Sequence, residues 1–156
     1  MRNLSRQFNK ESFVHPFYFR RMKYNYILLV DDDVDDAEIF TMAVKAVDDS
    51  IKISVENNAL DALKKLKEGK KLPHIIFLDY YMPYLDGGEF MKLLRGIKGI
   101  KKIPVVFYSG HSKVALKELV EKHKTAGFLK KQGDFSDLIK ALQEMIHLKL
   151  PSLRSD

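Results

Sequence analysis

Two apolar runs in this chain end in carboxylates. Ile27-Leu28-Leu29-Val30 leads into Asp31-Asp32-Asp33, and Ile75-Ile76-Phe77-Leu78 leads into Asp79. A short run of β-branched and aliphatic residues has the signature of a buried strand. A carboxylate at the C-terminal end of such a strand stands where open parallel sheets place their binding sites. Laid side by side, the two strands would gather Asp31, Asp32 and Asp79 on one rim, three carboxylates, or four with Asp33. Like charges that close raise one another's pKa, so the cluster calls for a cation. Hard oxygen donors suit Mg²⁺, which keeps several waters and takes one or two carboxylates. An acidic Mg²⁺ pocket is the chemistry to which these residues point first.

The elements that must position those acids alternate between strand and helix patterns. Tyr26–Val30 reads as the first strand, and Val34–Val47 as a helix with Ala37, Phe40, Ala43, Val44 and Val47 at helical spacing. Asp33 suits the N-cap of that helix, and Asp35 and Asp36 suit the positive end of its dipole. Ile51–Val55 alternates as an edge strand would. Asn57 or Asn58 then caps a helix whose stripe of Leu60, Leu63 and Leu66 ends at Gly69. Ile75–Leu78 lacks polar alternation, as a central parallel strand does. Met82 to Gly88 is a loop, followed by an amphipathic helix carrying Phe90, Met91, Leu93, Leu94 and Ile97. Ile103–Tyr108 is a fourth strand, Val114–His123 a fourth helix capped by Ser112, Gly127–Lys130 a fifth strand and Phe135–Leu148 the closing helix. Five such units make an α/β domain with a parallel sheet and helices on both faces. The expected division is a basic extension over residues 1–23, a globular domain over 24–149 and a short tail over 150–156.

Composition narrows the function classes. The chain of 156 residues carries a formal charge of +6, but residues 1–23 hold six basic side chains against Glu11 alone. The globular part is therefore nearly balanced, which argues against nucleic-acid binding by that part. The extension is expected to lie outside the fold, disordered or an artefact of the start site, since Met22 stands just before the first strand. With no cysteine, disulfides, thiolate metal sites and cysteine nucleophiles are excluded. No apolar stretch reaches the roughly 20 residues a membrane helix needs. A cytoplasmic location and no membrane contact are the expectation. The five histidines are scattered, and neither a G-x-S-x-G elbow nor a Gly-rich nucleotide loop is present.

Further groups fall at strand ends. Ser109 follows the fourth strand and Lys131 the fifth. Carboxylates, a hydroxyl and an ammonium on one rim suit phosphoryl chemistry, in which a carboxylate is the nucleophile and the protein supplies positioning and charge neutralisation. With the order of acid pair, aspartate, serine and lysine in place, the chain resembles the receiver domain of two-component response regulators. The likeness runs from about Tyr26 to Leu148 and is strongest over Leu78-Asp79-Tyr80-Tyr81-Met82-Pro83-Tyr84-Leu85-Asp86-Gly87. The run from Val30 to Glu38 is also similar to stand-alone regulators, including those served by bacterial phytochromes.

The resemblance implies a flavodoxin-like, doubly wound (βα)₅ fold with strand order 2-1-3-4-5. It implies Asp79 as phosphoacceptor, Asp32 as a direct Mg²⁺ ligand, Asp31 as a ligand largely through water, and the backbone carbonyl of Tyr81 completing the protein's share of the metal shell. Lys131 would pair with Asp79 and then with the phosphoryl oxygens. Ser109 would move toward the phosphoryl group, and Phe128 would be the aromatic that turns inward with it. The partners implied are a sensor histidine kinase or phosphotransfer protein as donor, a downstream protein on the face of fourth helix, fifth strand and fifth helix, and a possible homodimer. The protein would be a signalling phosphoacceptor rather than an enzyme with an outside substrate.

Three positions depart from the family pattern. Gln132 replaces the proline that usually follows the lysine, so a trans bond is expected there. Phe128 lacks the hydroxyl of the commoner tyrosine, leaving packing alone to drive a switch. The bulk of Tyr80 and Tyr81 beside the acceptor, Tyr81 above all, is expected to hinder water attack and lengthen the phosphorylated lifetime. Gln132 also favours a rival reading, a receiver-like scaffold or dimerisation module that works without phosphorylation. A phosphohydrolase is disfavoured, because Asp79 is followed by Tyr80-Tyr81 and not by an Asp-x-Asp pattern.

Overall fold

The computed structural model describes residues 6–9, 12–14, 24–110, 114–123 and 125–146. Its strands are β1 (Arg6–Asn9), β2 (Ser12–Val14), β3 (Tyr26–Val30), β4 (Lys52–Glu56), β5 (Ile75–Asp79), β6 (Val105–Ser109) and β7 (Ala126–Lys130). Its helices are α1 (Val34–Val47), α2 (Ala59–Glu68), α3 (Gly87–Gly96), α4 (Val114–Lys122) and α5 (Phe135–Ile146). The sheet runs β1-β2-β7-β6-β5-β3-β4. Its five parallel strands follow the order 2-1-3-4-5 expected from the resemblance, and β4 stands at the edge.

The expectation that residues 1–23 stay outside the fold does not hold for β1 and β2. They form an antiparallel hairpin, and β2 continues the sheet by pairing antiparallel with β7 through Ser12↔Leu129, Phe13↔Phe128 and Val14↔Gly127. The physical reason lies in β7. An outermost strand presents unpaired N–H and C=O groups, and a neighbouring segment that pairs with them satisfies both chains.

Successive side chains of a strand point to opposite faces, and each face here is covered by its own helices. Ile27, Leu29, Ile75 and Phe77 pack with Ala37, Phe40 and Val44 of α1 and Leu138, Leu142 and Met145 of α5. Leu28, Val30, Ile76 and Leu78 pack with Leu63 and Leu66 of α2, Phe90, Met91 and Leu94 of α3, and Leu116 and Val120 of α4. Phe40 anchors the first layer, with its ring 4.9 Å from that of Phe77 and 5.2 Å from that of Tyr108. Two leucines counted in the apolar stripes lie outward instead: Leu60 is 56% exposed on α2 and Leu93 48% exposed on α3. Each sits one position off the face that reaches the sheet.

The helix starts are chemically specified. Asp33 caps α1 by accepting from the Asp36 N–H at 3.0 Å. Asn58, rather than Asn57, caps α2 by accepting from the N–H groups of Leu60 and Asp61. Asp86 and Glu89 form a reciprocal capping box that starts α3. Gly69 closes α2 in the left-handed conformation at φ 66°. Ser112 and the stretch from His147 onward, including Leu148 and the tail over 150–156, lie outside the described residues.

Candidate functional site

Both acid-bearing strands deliver their carboxylates to one rim. β3 and β5 are parallel neighbours in the register Val30↔Leu78, so Asp31 and Asp79 emerge together. One carboxylate oxygen from each of Asp31, Asp32 and Asp79 lies within 4.8 Å of the others. Asp31 is fully buried, Asp79 is buried and Asp32 is exposed. A set of hard oxygen donors this close is what a small divalent cation takes up, so the residues fit Mg²⁺.

The two carboxylate oxygens of Asp31 are already engaged, Oδ1 accepting from the Asp33 N–H at 2.9 Å and Oδ2 from the Lys131 ammonium at 2.9 Å. Asp32 faces solvent beside it. This difference suits the unequal roles expected of the pair. Asn57 steadies the turn after β3, its amide donating to the Asp31 carbonyl at 3.0 Å.

Asp79 accepts from the Tyr81 N–H at 3.3 Å, and its other oxygen lies 3.7 Å from the Lys131 ammonium. Burial pushes its carboxyl up to about 7, reinforced by the charges of Asp31 and Asp32 and opposed by Lys131 and the Tyr81 N–H. A carboxyl that ionises only near 7 is a weak nucleophile when metal-free. Bringing positive charge to the cluster would favour the anion.

Lys131 reaches the rim within ion-pair distance of Asp79, the expected partner, but two other acids lie nearer. Its ammonium sits 2.8 Å from Asp36 and 2.9 Å from Asp31, closer than to Asp79. It also lies 5.2 Å from the centre of the Tyr108 ring. Burial alone would lower its pKa, but the hydrogen bonds from Asp36 and Asp31 and the charges of Asp31 and Asp79 hold it above the ordinary lysine value. Asp36 was legible only as a helix-dipole residue. Its place in the first turn of a helix starting at the same rim is the signal that would have found it. No cis peptide bond occurs among the described residues, so the Lys131–Gln132 bond is trans as expected. Gln132 donates from its side chain to the Lys130 carbonyl at 2.9 Å, and Lys131 still reaches the acids.

Ser109 ends β6, one residue beyond the Asp79↔Tyr108 pair, and is buried. Its carbonyl accepts from the Lys131 N–H at 2.7 Å, tying the last residues of β6 to the start of the β7–α5 loop. Phe128 is buried against the layer of Phe107, Leu116 and Val120, so it already points inward. Tyr80 and Tyr81 part company. Tyr80 packs back edge-on toward Phe107 and over Gly87, where a Cβ would stand 2.8 Å from the Tyr80 ring. Tyr81 is 48% exposed beside the acceptor. Tyr84 is held at φ 68° with its side chain almost wholly in solvent.

A parallel five-strand core with acids, a serine and a lysine at its C-terminal rim defines a receiver-like α/β protein. The sequence profile of the response regulator receiver domain matches residues 27–143. The chain belongs to that family. It is 35% identical over 74 residues to a transcriptional regulatory protein, the CpxR homolog of Haemophilus influenzae; this covers 47% of the chain and 30% of that relative's length. Among solved structures it is similar to the Mn(2+)-bound form of response regulator Rcp1, at 26% identity and a TM-score of 0.67, covering 84% of this chain and 99% of that one. A phosphorylated cyanobacterial phytochrome response regulator, RcpA, shares the fold at 21% identity and a TM-score of 0.70, over 85% of this chain and 99% of that one. Among the described residues, no helix is long and apolar enough to cross a membrane.

Proposed function

We propose that this chain is a phosphoacceptor in a phosphorelay, taking a phosphoryl group from a histidine kinase or phosphotransfer protein onto Asp79. The observation that carries this reading is the cluster of Asp31, Asp32 and Asp79 with the Lys131 ammonium inside it. Asp32 and Asp79, with the Tyr81 carbonyl, would hold Mg²⁺ directly, and Asp31 largely through water. That the similar response regulator Rcp1 has a Mn(2+)-bound form supports a divalent ion here. When bound, the ion supplies positive charge to the oxygens of the transferring group.

In the transfer, a carboxylate oxygen of Asp79 attacks the phosphorus in line. The new P–O bond forms as the donor's P–N bond breaks, and the electron pair stays on the imidazole nitrogen, which takes up a proton. Lys131 then trades part of its contact with Asp36 and Asp31 for the phosphoryl oxygens. Ser109 offers its hydroxyl from the end of β6. The loops after β5 and β6 repack around Phe128, and the surface of α4, β7 and α5 carries the change to a downstream partner or a second copy of the chain. The hydroxyl-free ring of Phe128 makes this a packing switch. The setting of the reading is cytoplasmic, with no nucleic acid at the globular part and no turnover of an outside substrate.

Intact mass after incubation with Mg²⁺ and a small acyl-phosphate donor tests the reading. One added phosphoryl group is expected in the wild type, none in Asp79→Asn, and none when Mg²⁺ is chelated. No addition to the wild type, with Mg²⁺ binding shown separately, would instead favour the phosphorylation-independent scaffold suggested by Gln132. Tyr81→Asn is expected to lose the phosphoryl group faster than the wild type, as followed by the same mass shift. Equal rates would remove Tyr81 as a shield against water.

A further inference from the structure

The strand that carries Phe128 is also the strand the N-terminal hairpin covers. The Lys131 N–H donates to the Ser109 carbonyl at 2.7 Å, and the Val105 N–H to the Thr125 carbonyl at 2.9 Å. Peptide groups alternate sides along a strand. Those of Gly127 and Leu129 therefore face β6, and those of Phe128 face the opposite edge. There Phe13 lies directly across from Phe128. Phe128 thus has its side chain buried under α4 and its backbone paired with β2.

The hairpin is short and irregular. β1 has four residues and β2 three, and their register slips between Gln7 and Asn9. A two-stranded hairpin of this length is unstable alone and draws its order from the strand it pairs with. Losing it would uncover a five-residue edge strand whose other side is held by β6.

We propose that the edge of β7 is a strand-addition site, and that β2, backed by β1, is the chain's own occupant of it. The partner it fits is an extended polypeptide segment that pairs antiparallel with β7 across Phe128, taking its affinity from the main-chain ladder. Such a partner must displace the hairpin first. The inference rests on the reading of α4, β7 and α5 as the output surface, and it adds that part of this surface is covered from within.

Residue-resolved amide exchange on the whole metal-free chain of 156 residues tests it. Phe13→Pro removes the N–H facing Phe128 and leaves the parallel sheet untouched. The Phe128 amide is expected to exchange at least about ten-fold faster in this variant, while the Leu29 and Phe77 amides keep wild-type protection. A synthetic peptide with the sequence of residues 5–15 should restore protection of Phe128 in the variant and should not bind the wild type at the same concentration. If Leu29 or Phe77 also loses protection, Val14→Pro, which weakens the hairpin on its β1 side, makes the same comparison. Equal Phe128 exchange in wild type and variant overturns the proposal. So does a peptide that binds both proteins alike, or one that leaves Phe128 unprotected in the variant. None of these readouts requires a phosphoryl group, so their failure is separate from a failure of uptake at Asp79.

Discussion

Along β5, the side chains from Ile75 to Leu78 are fully buried among apolar neighbours, whereas the last residue, Asp79, is a buried carboxyl that burial pushes up to about 7 despite the Lys131 ammonium 3.7 Å away. β3 repeats the contrast, with Ile27 to Val30 buried in the two core layers and Asp31 buried at the rim. The same strands therefore carry both the apolar core and the buried acids of the rim. The apolar lengths stabilise the fold strongly enough to hold carboxylates together at the rim, where a cation and a phosphoryl group can complete them. Strained or unbalanced groups persist where the surrounding structure over-determines them, and here both core layers do so.

The contrast can be broken from the core side first. Phe40→Ala empties a site that touches both Phe77 and Tyr108, and the expected loss is about 3–5 kcal/mol in urea unfolding. The next effect has the opposite sign. The Asp79 carboxyl is raised from an ordinary aspartate value of 3.8 to about 7 in the fold. Ionising it therefore costs folding free energy that builds up as pH rises through this window, and the full cost applies above 7. Asp79→Asn removes that cost. Without divalent ions, the variant is expected to be more stable than the wild type at pH 8 by about 1–3 kcal/mol, and indistinguishable below pH 3.8. Thermal unfolding at both pH values checks the sign.

Gly87→Ala sharpens the border between the regions. Its Cβ would meet the Tyr80 ring at 2.8 Å and the Phe107 ring at 3.0 Å, so the two rings must shift to admit it. The expected loss is about 1–3 kcal/mol in urea unfolding. Asp33→Ala is the smallest change. Removing the cap from α1 should lower stability by about 1 kcal/mol in the same measurement, while leaving the Asp79 carboxyl in place.

What was legible in the sequence follows the same division. The strands and helices stood out because burial on one or both faces imposes periods of two and 3.6 residues, as in Ile75–Leu78 and Ala37–Phe40–Val44. The rim acids stood out because a carboxylate directly after an apolar run is rarely accidental. Ser109 and Lys131 reached the same rim because both follow strands of the sheet. Leu60 and Leu93 were misread because a leucine one position off the buried face leaves the pattern nearly unchanged. Asp36 was undervalued because its partner Lys131 lies 95 residues away. The pairing of β1 and β2 with the sheet was missed for a different reason. Its ordering depends on the open edge of β7, a property of the assembled sheet that no local pattern carries.

The central claim is that burial holds the Asp79 carboxyl above the usual carboxylate range until a metal cation joins the cluster, and titration of that carboxyl by carbon-detected NMR, with and without Mg²⁺, tests it most directly. The expected result is a midpoint near 7 in the metal-free protein and a midpoint displaced to distinctly lower pH when Mg²⁺ is saturating. An ordinary carboxylate midpoint in the metal-free protein, unmoved by Mg²⁺, would contradict the account.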